Sequence, residues 1–563
     1  MKYNRKIHSA RPAGEEPFIW TMGGALVLGM VMIVGFLIFV LLNGIFTFYP
    51  KSVYKILLAD SSVIAGEKCR HEIFQPDMKD LTADEKKRLK FVGSENKFVN
   101  RWLYKTGNYD LYNMDYVWVP DYKVNRILKP EEIYFVERME WGPFIGFIQS
   151  FEINGIIKKF DAGSLKLLQK EHENALHRKK VIDNILKNRI AKINHKLEKL
   201  RLSLKEVIIK HGSDSSIYNR KLKKYKLDAA KLNSAYLKLQ AEADLLRDKD
   251  AMYTVLMHDA NGREKKIRMS DIVRFFPANS LNFFEKLGIY FSRWFEFLTQ
   301  QPREANTEGG VMPAIFGTFA MTLLMVIIVA PFGVLAALYL REYAKQGHLV
   351  SIVRICVNNL AGVPSIVYGV FGLGFFAYII GGSIDSLFFS ERLPSPTFGT
   401  GGILWASLTL ALLTVPVVIV ATEEALAAVP SSLREASLAC GASKWQTIKN
   451  IVLPKALPGI MTGVILAMAR GAGEVAPLML VGVVKLAPEL PVDGYFPFVH
   501  LERSFMHLGF HIFDVGFQSR NSEAGKPMVF VTTLLLIALI ALMNAIAIYI
   551  RNRLKRKYSA GHF

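Results

Sequence analysis

Two charged residues four positions apart stand inside a long apolar run of this chain. Arg470 and Glu474 lie within Gly459–Val484, so a helix would place both side chains on one face. A charge in the hydrocarbon core of a membrane costs about 3 kcal/mol, so it normally faces a partner or a water-filled path. The guanidinium offers five donors, which suit a tetrahedral oxyanion. The pair therefore predicts either an anion path, in which Glu474 holds Arg470 while the path is empty, or a structural ion pair between packed helices.

Polar residues near the start of another apolar run are weaker candidates for the same path. Asn359, Ser365 and Tyr368 could line it, or could simply form hydrogen bonds between helices. Gly471, Gly473 and Pro477 are expected to loosen the helix around the charged pair.

No motif of an enzyme is visible in the sequence. There is no G-x-x-x-x-G-K-[ST] pattern for a nucleotide and no nucleophile–base or metal-ligand constellation. Cys69, Cys356 and Cys440 stand too far apart in the sequence to indicate a disulfide framework or a metal site. We therefore expect no catalytic residue, no metal and no cofactor, and the energy for any transport must come from a partner.

Composition places the charged pair in a membrane protein. The chain has 563 residues, of which 51% are apolar and 21% charged, and its mean hydropathy is +0.22. Apolar and charged residues are segregated, and six runs are long enough to cross a bilayer, which needs about 20 residues. These runs are Phe18–Phe48, Met312–Leu340, Ile355–Ile380, Ile403–Ala421, Gly459–Val484 and Met528–Ile550. The expected fold class is an all-α polytopic membrane protein with six transmembrane helices.

A polar insert, residues 49–281, follows the first run. Its two ends alternate as β-strands, with turns predicted at Asn154-Gly155 and Asn261-Gly262. Between them, two stretches carry apolar residues at spacings of three and four on either side of a turn at 211–216. We expect an α+β insert, in which a β-rich base carries an antiparallel coiled-coil hairpin over 162–250. The hairpin is interpreted either as a partner-docking arm or as a passive spacer.

The net charge of +21 is concentrated in this hairpin. The segment Ala162–Arg247 holds 21 Lys and Arg against 9 Asp and Glu, a net charge of +12. Aromatic residues do not interleave with these charges and no nucleic-acid motif is present, so nucleic-acid binding is not expected. A solvated helix face is favoured, and attraction to anionic lipid or to an acidic partner stays open.

Basic residues before the first run, after the second and after the last place those three segments on the cytoplasmic side. The predicted order begins with a cytoplasmic N-terminus (1–17), a first transmembrane helix (18–48), an extracytoplasmic insert (49–281) and an interfacial segment (282–311). A core with five transmembrane helices (312–550) and a cytoplasmic tail (551–563) follow. The core contains a cytoplasmic loop (422–458).

The loop 422–458 is predicted to hold two short helices. Two patterns predict capping boxes, Ser432 with Glu435 and Ser443 with Gln446. Gly441 between them suits a left-handed turn. Pro454 and Pro458 are expected to end the second helix.

This loop resembles the EAA motif of binding-protein-dependent ABC importer permeases. That motif runs Glu-Ala-Ala, three residues, Gly, nine residues and Ile-x-Leu-Pro, and here only Ser437 departs from it, in place of the second Ala. In that family the loop, here called the EAA loop, is the coupling helix that docks on the ATPase. Position by position, the resemblance implies ATPase coupling through Glu435, Ala436, Gly441, Ile451, Leu453 and Pro454.

Three further stretches narrow the resemblance to phosphate permeases. Leu360–Gly372 is similar to a signature shared by both phosphate permease subunits, while Thr422–Leu426 and Pro458–Leu478 are similar to the PstA type rather than the PstC type. The similarity covers the first run and about residues 295–550. Val475 stands where the family usually has Thr, and the short family members lack the insert.

The resemblance implies the permease subunit of an ATP-driven importer of inorganic phosphate in the bacterial inner membrane, with a large periplasmic domain. It implies no enzymatic activity of the chain itself. The implied partners are a PstC-type permease, a PstB-type ATPase dimer and a periplasmic phosphate-binding protein.

Two other interpretations stay open. The first is a permease for another oxyanion, such as sulfate or molybdate. The second is a membrane sensor that uses the outer coiled-coil domain, although the short tails hold no output segment.

Overall fold

A computed structural model describes residues 17–79, 81–89, 98–161, 163–487, 489–519 and 522–559. The predicted cytoplasmic N-terminus lies outside the described residues except for Pro17, and so does the end of the predicted tail, residues 560–563.

Six helices in the described part of the chain are long and apolar enough to cross a membrane, as predicted. These spans are Trp20–Phe46, Met312–Tyr343, Ser365–Phe388, Ile403–Ala427, Lys444–Gly473 and Glu523–Lys557. Their helical elements are α1 (Pro17–Phe46), α8 (Met312–Leu338), α10 (Ser365–Phe371) with α11 (Gly382–Phe388), α12 (Ile403–Ala427), α14 (Lys444–Thr447) with α15 (Leu453–Gly473), and α18 (Ser522–Ser559). π-helical segments join α10 to α11 (Gly372–Gly381) and α14 to α15 (Ile448–Val452).

The third span begins ten residues later than predicted. It starts at Ser365 rather than Ile355, because His348–Leu360 forms a separate amphipathic helix, α9. Pro364 keeps the backbone extended before α10, which interrupts the helix there.

The centre of the membrane core is formed by α8, α12 and α15. Met325 and Val329 of α8 and Leu410 of α12 are fully buried there. Small residues let α12 and α15 approach closely, since a Cβ on Gly459 would lie only 2.6 Å from the Ala425 side chain.

Two antiparallel sheets form the base of the insert. The first has five strands in the order β4-β3-β2-β1-β5, and the second has the order β10-β9-β7-β6-β11 with β8 paired to β7. The strands are β1 (Val53–Leu58), β2 (Val63–Phe74), β3 (Val99–Lys105), β4 (Tyr116–Pro120), β5 (Val124–Leu128), β6 (Tyr134–Arg138), β7 (Phe144–Ile153), β8 (Ile156–Lys159), β9 (Thr254–His258), β10 (Glu264–Arg268) and β11 (Ile272–Pro277). The short helices α2 (Ala83–Arg88) and α3 (Tyr109–Tyr112) lie beside them. Both predicted turns are present, with positive φ at Gly155 and Gly262. The two sheets mean that all-α describes the membrane core but not the whole chain.

Long helices rise from this base. The first arm comprises α4 (Leu165–Asn184), a π turn and α5 (Ala191–His211), and the second arm is α6 (Ser216–Ala251). Gly212 turns the chain with a φ of 77°, and the Ser215 side chain caps α6. Ile190 packs with Ala243 between the arms near the base, and no residue of α5 is buried nearer the tip. The chain therefore forms a helical hairpin at the predicted position.

The hairpin lies against the membrane core. The Lys205 ammonium donates to the Leu393 carbonyl, and the His195 ring stacks on Tyr495 with centroids 4.6 Å apart. Leu393 and Tyr495 belong to loops that alternate along the chain with the EAA loop. Because successive spans cross in opposite directions, the insert packs on the end of the core opposite the EAA loop.

Ion pairs join the insert to the segments that enter the membrane. Glu137 on β6 pairs with Arg274 on β11 and accepts a 2.7 Å hydrogen bond from Arg293. Glu296 pairs with Arg274 at 2.7 Å and with Arg303. Arg293 and Glu296 belong to α7 (Phe283–Thr299), the amphipathic helix within the predicted interfacial segment. All five side chains are largely buried, so the pairs fix the insert to α7 and to the approach to α8.

Replacing Glu137 by Gln should destabilise this junction by about 3–5 kcal/mol, because the largely buried Arg293 guanidinium loses its carboxylate and Arg274 keeps only Glu296. Burial opposes ionisation of Glu137, but Arg293 and Arg274 lower its pKa below the usual value. Its contribution is therefore complete above about pH 4.3 and is lost as the pH falls through the folded-state pKa. Thermal unfolding of the full chain in detergent measures the effect.

The matched control is Glu140→Gln, because Glu140 is an exposed carboxylate close by in the sequence. It should change stability by no more than about 0.5 kcal/mol. Equal unfolding temperatures for the two variants would contradict the role of the network.

Candidate translocation path and coupling loop

The EAA loop forms a helix, a tight turn and a second helix. The first helix is α13 (Ser431–Ala439), and Gly441 then turns the chain with a φ of 80°. Ser443 and Gln446 form the predicted capping box on α14. The capping box predicted for Ser432 with Glu435 is wrong, because α13 begins at Ser431 with Pro430 as its N-cap.

Arg434 ties α13 to two spans. Its guanidinium donates to the Leu426 carbonyl at the end of α12 over 2.8 Å and to Val429, and it pairs with Glu342 at 2.8 Å. Glu342 lies in the π turn that extends α8. A charged donor with several acceptors is worth more than an ordinary hydrogen bond, so the loop is held to the ends of α8 and α12.

Two further contacts fix the turn itself. The hydroxyls of Ser437 and Thr447 lie 2.9 Å apart, which closes α13 onto α14. The Lys444 ammonium lies 5.0 Å from the centre of the Tyr343 ring, in the same π turn that holds Glu342.

The outer surface of the EAA loop is open and partly apolar. Glu435, Ala436 and Gly441 are exposed. The side chains of Leu438 and Trp445 are 50% and 53% exposed. An apolar patch rimmed by polar residues is typical of a protein–protein contact.

The second half of the motif is the start of a long helix. Ile451, Leu453 and Pro454 are half-buried in the continuous helix Lys444–Gly473. The prediction that Pro454 and Pro458 end the helix is wrong. The π turn Ile448–Val452 directly before Pro454 shifts the hydrogen-bond pattern and carries the chain past the prolines.

That helix ends at the charged pair. It stops at Gly473, Glu474 is extended, and a new helix, α16 (Ala476–Val481), begins with Pro477 in its first turn. Glu474 thus follows the helix instead of continuing it on the same face, and Arg470 Nε lies 3.8 Å from Glu474 Oε1. In the part of the chain that the structure describes, the Arg470 guanidinium makes no hydrogen bond, so its donors are open to a ligand.

The other predicted path residues differ in their distance from this break. Helix α10 packs against α16, and a Cβ on Gly369 would lie 2.8 Å from Pro477 Cα. Tyr368 on α10 is buried near Arg470, and its hydroxyl donates a 2.5 Å hydrogen bond to the Leu360 carbonyl. Ser365 is half-buried one turn earlier, and Asn359 is exposed at the end of α9, before the turn at Pro364. The structure therefore brings Tyr368, Arg470 and Glu474 together and leaves Asn359 on a separate helix.

Several residues with clear structural roles escaped the sequence interpretation. Arg434 stands directly before the motif Glu, and Glu342 ends the second apolar run, but nothing in the sequence pairs them. For the partly apolar outer surface of the EAA loop, the sequence does offer one signal, Trp445, which is an aromatic residue in a polar loop.

The sequence model of the family described as "Binding-protein-dependent transport system inner membrane component" matches residues 329–556. YqgI of Bacillus subtilis, a probable ABC transporter permease protein, is 31% identical over 235 residues, which cover 41% of this chain and 74% of YqgI. The chain belongs to this family of transport permeases.

Within the family the chain is similar to PstA proteins. The phosphate transport system permease protein PstA of Mycobacterium leprae is 39% identical over 199 residues, covering 35% of this chain and 60% of that protein. YqgH of Bacillus subtilis is 36% identical over 203 residues, which cover 35% of this chain and 62% of YqgH. The chain thus spans about three fifths of the length of these two relatives.

Solved structures also show similarity to the chain. The inward-facing MetNI methionine ABC transporter matches 44% of this chain and 94% of its own, with 22% identity and a TM-score of 0.32. A bacterial ABC transporter involved in the import of the polysaccharide alginate matches 47% and 83%, with 16% identity and a TM-score of 0.34.

Replacing Arg434 by Ala should loosen α13, because it removes an ion pair and two hydrogen bonds that a charged group donates. Such hydrogen bonds contribute about 1.5–3 kcal/mol each, so amide hydrogen exchange in residues 431–439 should accelerate at least about tenfold. Arg341→Ala, at an exposed position beside Glu342, is the control and should leave the exchange unchanged. Unchanged protection of α13 in Arg434→Ala would contradict the anchoring role.

Proposed function

We propose that this chain is the transmembrane permease subunit of an ATP-driven ABC importer for inorganic phosphate. In this proposal it forms half of the translocation path and couples to the ATPase through the EAA loop. The observation that carries the proposal is the continuous helix Lys444–Gly473, which runs from the exposed loop to Arg470 beside the break in the span. PstA relatives whose names specify phosphate transport support the choice of substrate.

Arg470 would bind the anion in transit. Its ion pair with Glu474 is long, at 3.8 Å, and both side chains are partly exposed. An anion that approaches Arg470 can therefore replace Glu474 as the partner of the guanidinium, and Glu474 can restore the pair when the anion leaves. Tyr368 would border the path near Arg470 while its hydroxyl donates to the Leu360 carbonyl. Ser365 lies one turn away, and Asn359 would line the approach from α9.

The EAA loop would transmit the motion of the ATPase. Glu435, Ala436 and Gly441 would lie in the contact, and Ile451, Leu453 and Pro454 would begin the helix that carries the movement inward. At about 1.5 Å per residue, the 30 residues of Lys444–Gly473 span about 45 Å. A displacement of the loop would therefore reach Arg470 with little reduction in its size.

The proposed setting is the bacterial inner membrane, with the EAA loop inside and the insert as a large periplasmic domain. The insert packs on the loops opposite the EAA loop, which supports this orientation. The proposed partners are a PstC-type permease, a PstB-type ATPase dimer and a periplasmic phosphate-binding protein. The sequence boundaries of the cytoplasmic, membrane and periplasmic segments form part of the same proposal.

A permease for another oxyanion is the second candidate, because the names of the relatives YqgH and YqgI specify no substrate. Uptake of labelled phosphate by cells that express the importer separates the two. A hundredfold excess of sulfate or molybdate should leave this uptake unchanged, whereas unlabelled phosphate should abolish it. Competition by sulfate or molybdate would favour the second candidate.

Replacing Arg470 by Ala should reduce phosphate uptake at least about tenfold, because the site then lacks the charge that attracts the anion. Assembly is checked by co-purification with the ATPase subunit. The control is Arg126→Ala, an exposed position on β5, which should transport normally. Normal uptake by an assembled Arg470→Ala importer would remove Arg470 from the path.

A further inference from the structure

The second arm of the hairpin carries an unusually one-sided charge. Between residues 220 and 238, seven cations face a single acid, Asp228. The cations are Arg220, Lys221, Lys223, Lys224, Lys226, Lys231 and Lys238. Within the described part of the chain, none of the seven forms an ion pair with a carboxylate within 4 Å.

The first arm mixes both signs more evenly, because six of its thirteen cations form ion pairs with carboxylates. Glu198 pairs with Arg201 at 2.7 Å, and Glu206 pairs with Lys210 at 2.6 Å. A helix that is merely solvated usually mixes both signs in this way. The unpaired cations of α6 therefore indicate a surface that meets negative charge elsewhere.

Three of these cations lie on one face of α6 with an exposed apolar residue. Lys223, Lys224, Leu227 and Lys231 follow spacings of three and four and are exposed. The Leu227 side chain is 59% exposed and that of Leu237 is 63% exposed. Apolar anchors inside a charged rim are the composition of a protein-docking surface.

The position of the hairpin restricts which partner can reach this face. α5 lies on the loops of the core, from His195 over Tyr495 to Lys205 over Leu393. Ten helical residues span about 15 Å, so the hairpin crosses a substantial part of this end of the core. The loops and α5 lie between the spans and α6, which favours a soluble partner over the bilayer surface.

We propose that the exposed face of α6, residues 220–238, is a docking surface for an acidic patch on the solute-binding protein that delivers the substrate. This inference rests on the proposed import function, since only an importer needs such a carrier at this end of the core. Opposite charges across the contact would accelerate the encounter, and Leu227 and Leu237 would contribute to its lifetime.

The test compares two triple variants that change the charge equally. Lys223→Glu/Lys224→Glu/Lys231→Glu alters the α6 face, and Lys86→Glu/Lys87→Glu/Lys158→Glu alters exposed lysines on the base. Each full-length permease is reconstituted with its partner permease and ATPase in nanodiscs. The binding of fluorescent phosphate-binding protein and the ATPase rate are then measured against its concentration.

In the α6 variant, the half-saturating concentration of the phosphate-binding protein should rise at least about tenfold at low salt, while the maximal ATPase rate stays unchanged. The wild type should lose affinity as salt rises from about 50 to 300 mM, and the variant should be nearly insensitive to salt. The control variant should behave as the wild type does.

Three results would overturn the inference: unchanged affinity in the α6 variant, an equal loss in the control variant, or a defect that appears only in nanodiscs containing anionic lipid. The last result would show that the face binds membrane instead. Wild-type ATPase activity that does not respond to the phosphate-binding protein would contradict the proposed function. The binding curves test the docking surface independently of that result.

Discussion

The rest of this structure depends on the unbroken helix Lys444–Gly473. It begins in a polar loop, passes two prolines and ends where the span breaks beside Arg470. A helix is stiff along its axis because each turn is hydrogen-bonded to the next. Under the proposed function the two ends would therefore move together, and a push on the loop would reposition the partly exposed Arg470 at the other end.

Neighbouring helices and side chains hold this helix and its loop in place. Gly459 lets α15 pack tightly on α12, and Arg434 joins the loop to α12 and, through Glu342, to the end of α8. Charges that hold the frame together are paired closely, as Glu137 and Glu296 are in the insert. Arg470 is paired only at 3.8 Å. The looser pair is the one expected at a site where an ion must enter and leave.

Much of this architecture could be predicted from the sequence, because long apolar runs, β-turn dipeptides and a helical spacing of three and four are strong local signals. The six spans, the turn at Gly212 and the positive φ of Gly441 follow from such signals. The prolines of the fifth span misled the prediction, because a π turn is a response of the backbone that the sequence does not announce. Ser432 failed as a cap because Pro430 sets the start of α13.

Contacts between distant segments could not be predicted from the sequence, for a different reason. The partnership of Arg434 with Glu342 and the docking of the hairpin on Leu393 and Tyr495 are set by tertiary packing, and one sequence shows no trace of which surfaces meet. The candidate path was predicted in part. Arg470 and Glu474 were identified by their charge in an apolar run, whereas the break between them and the proximity of Tyr368 required coordinates.

The most direct test of the account uses Cys440, an exposed thiol beside Gly441 in the EAA loop. With Cys69 and Cys356 replaced by Ser, a membrane-impermeant maleimide is applied to sealed membrane vesicles of either orientation, with and without the ATPase subunit. Labelling is expected only in inside-out vesicles, and a bound ATPase subunit should protect Cys440 from it. Labelling in right-side-out vesicles, or labelling that the ATPase subunit leaves unchanged, would contradict the account.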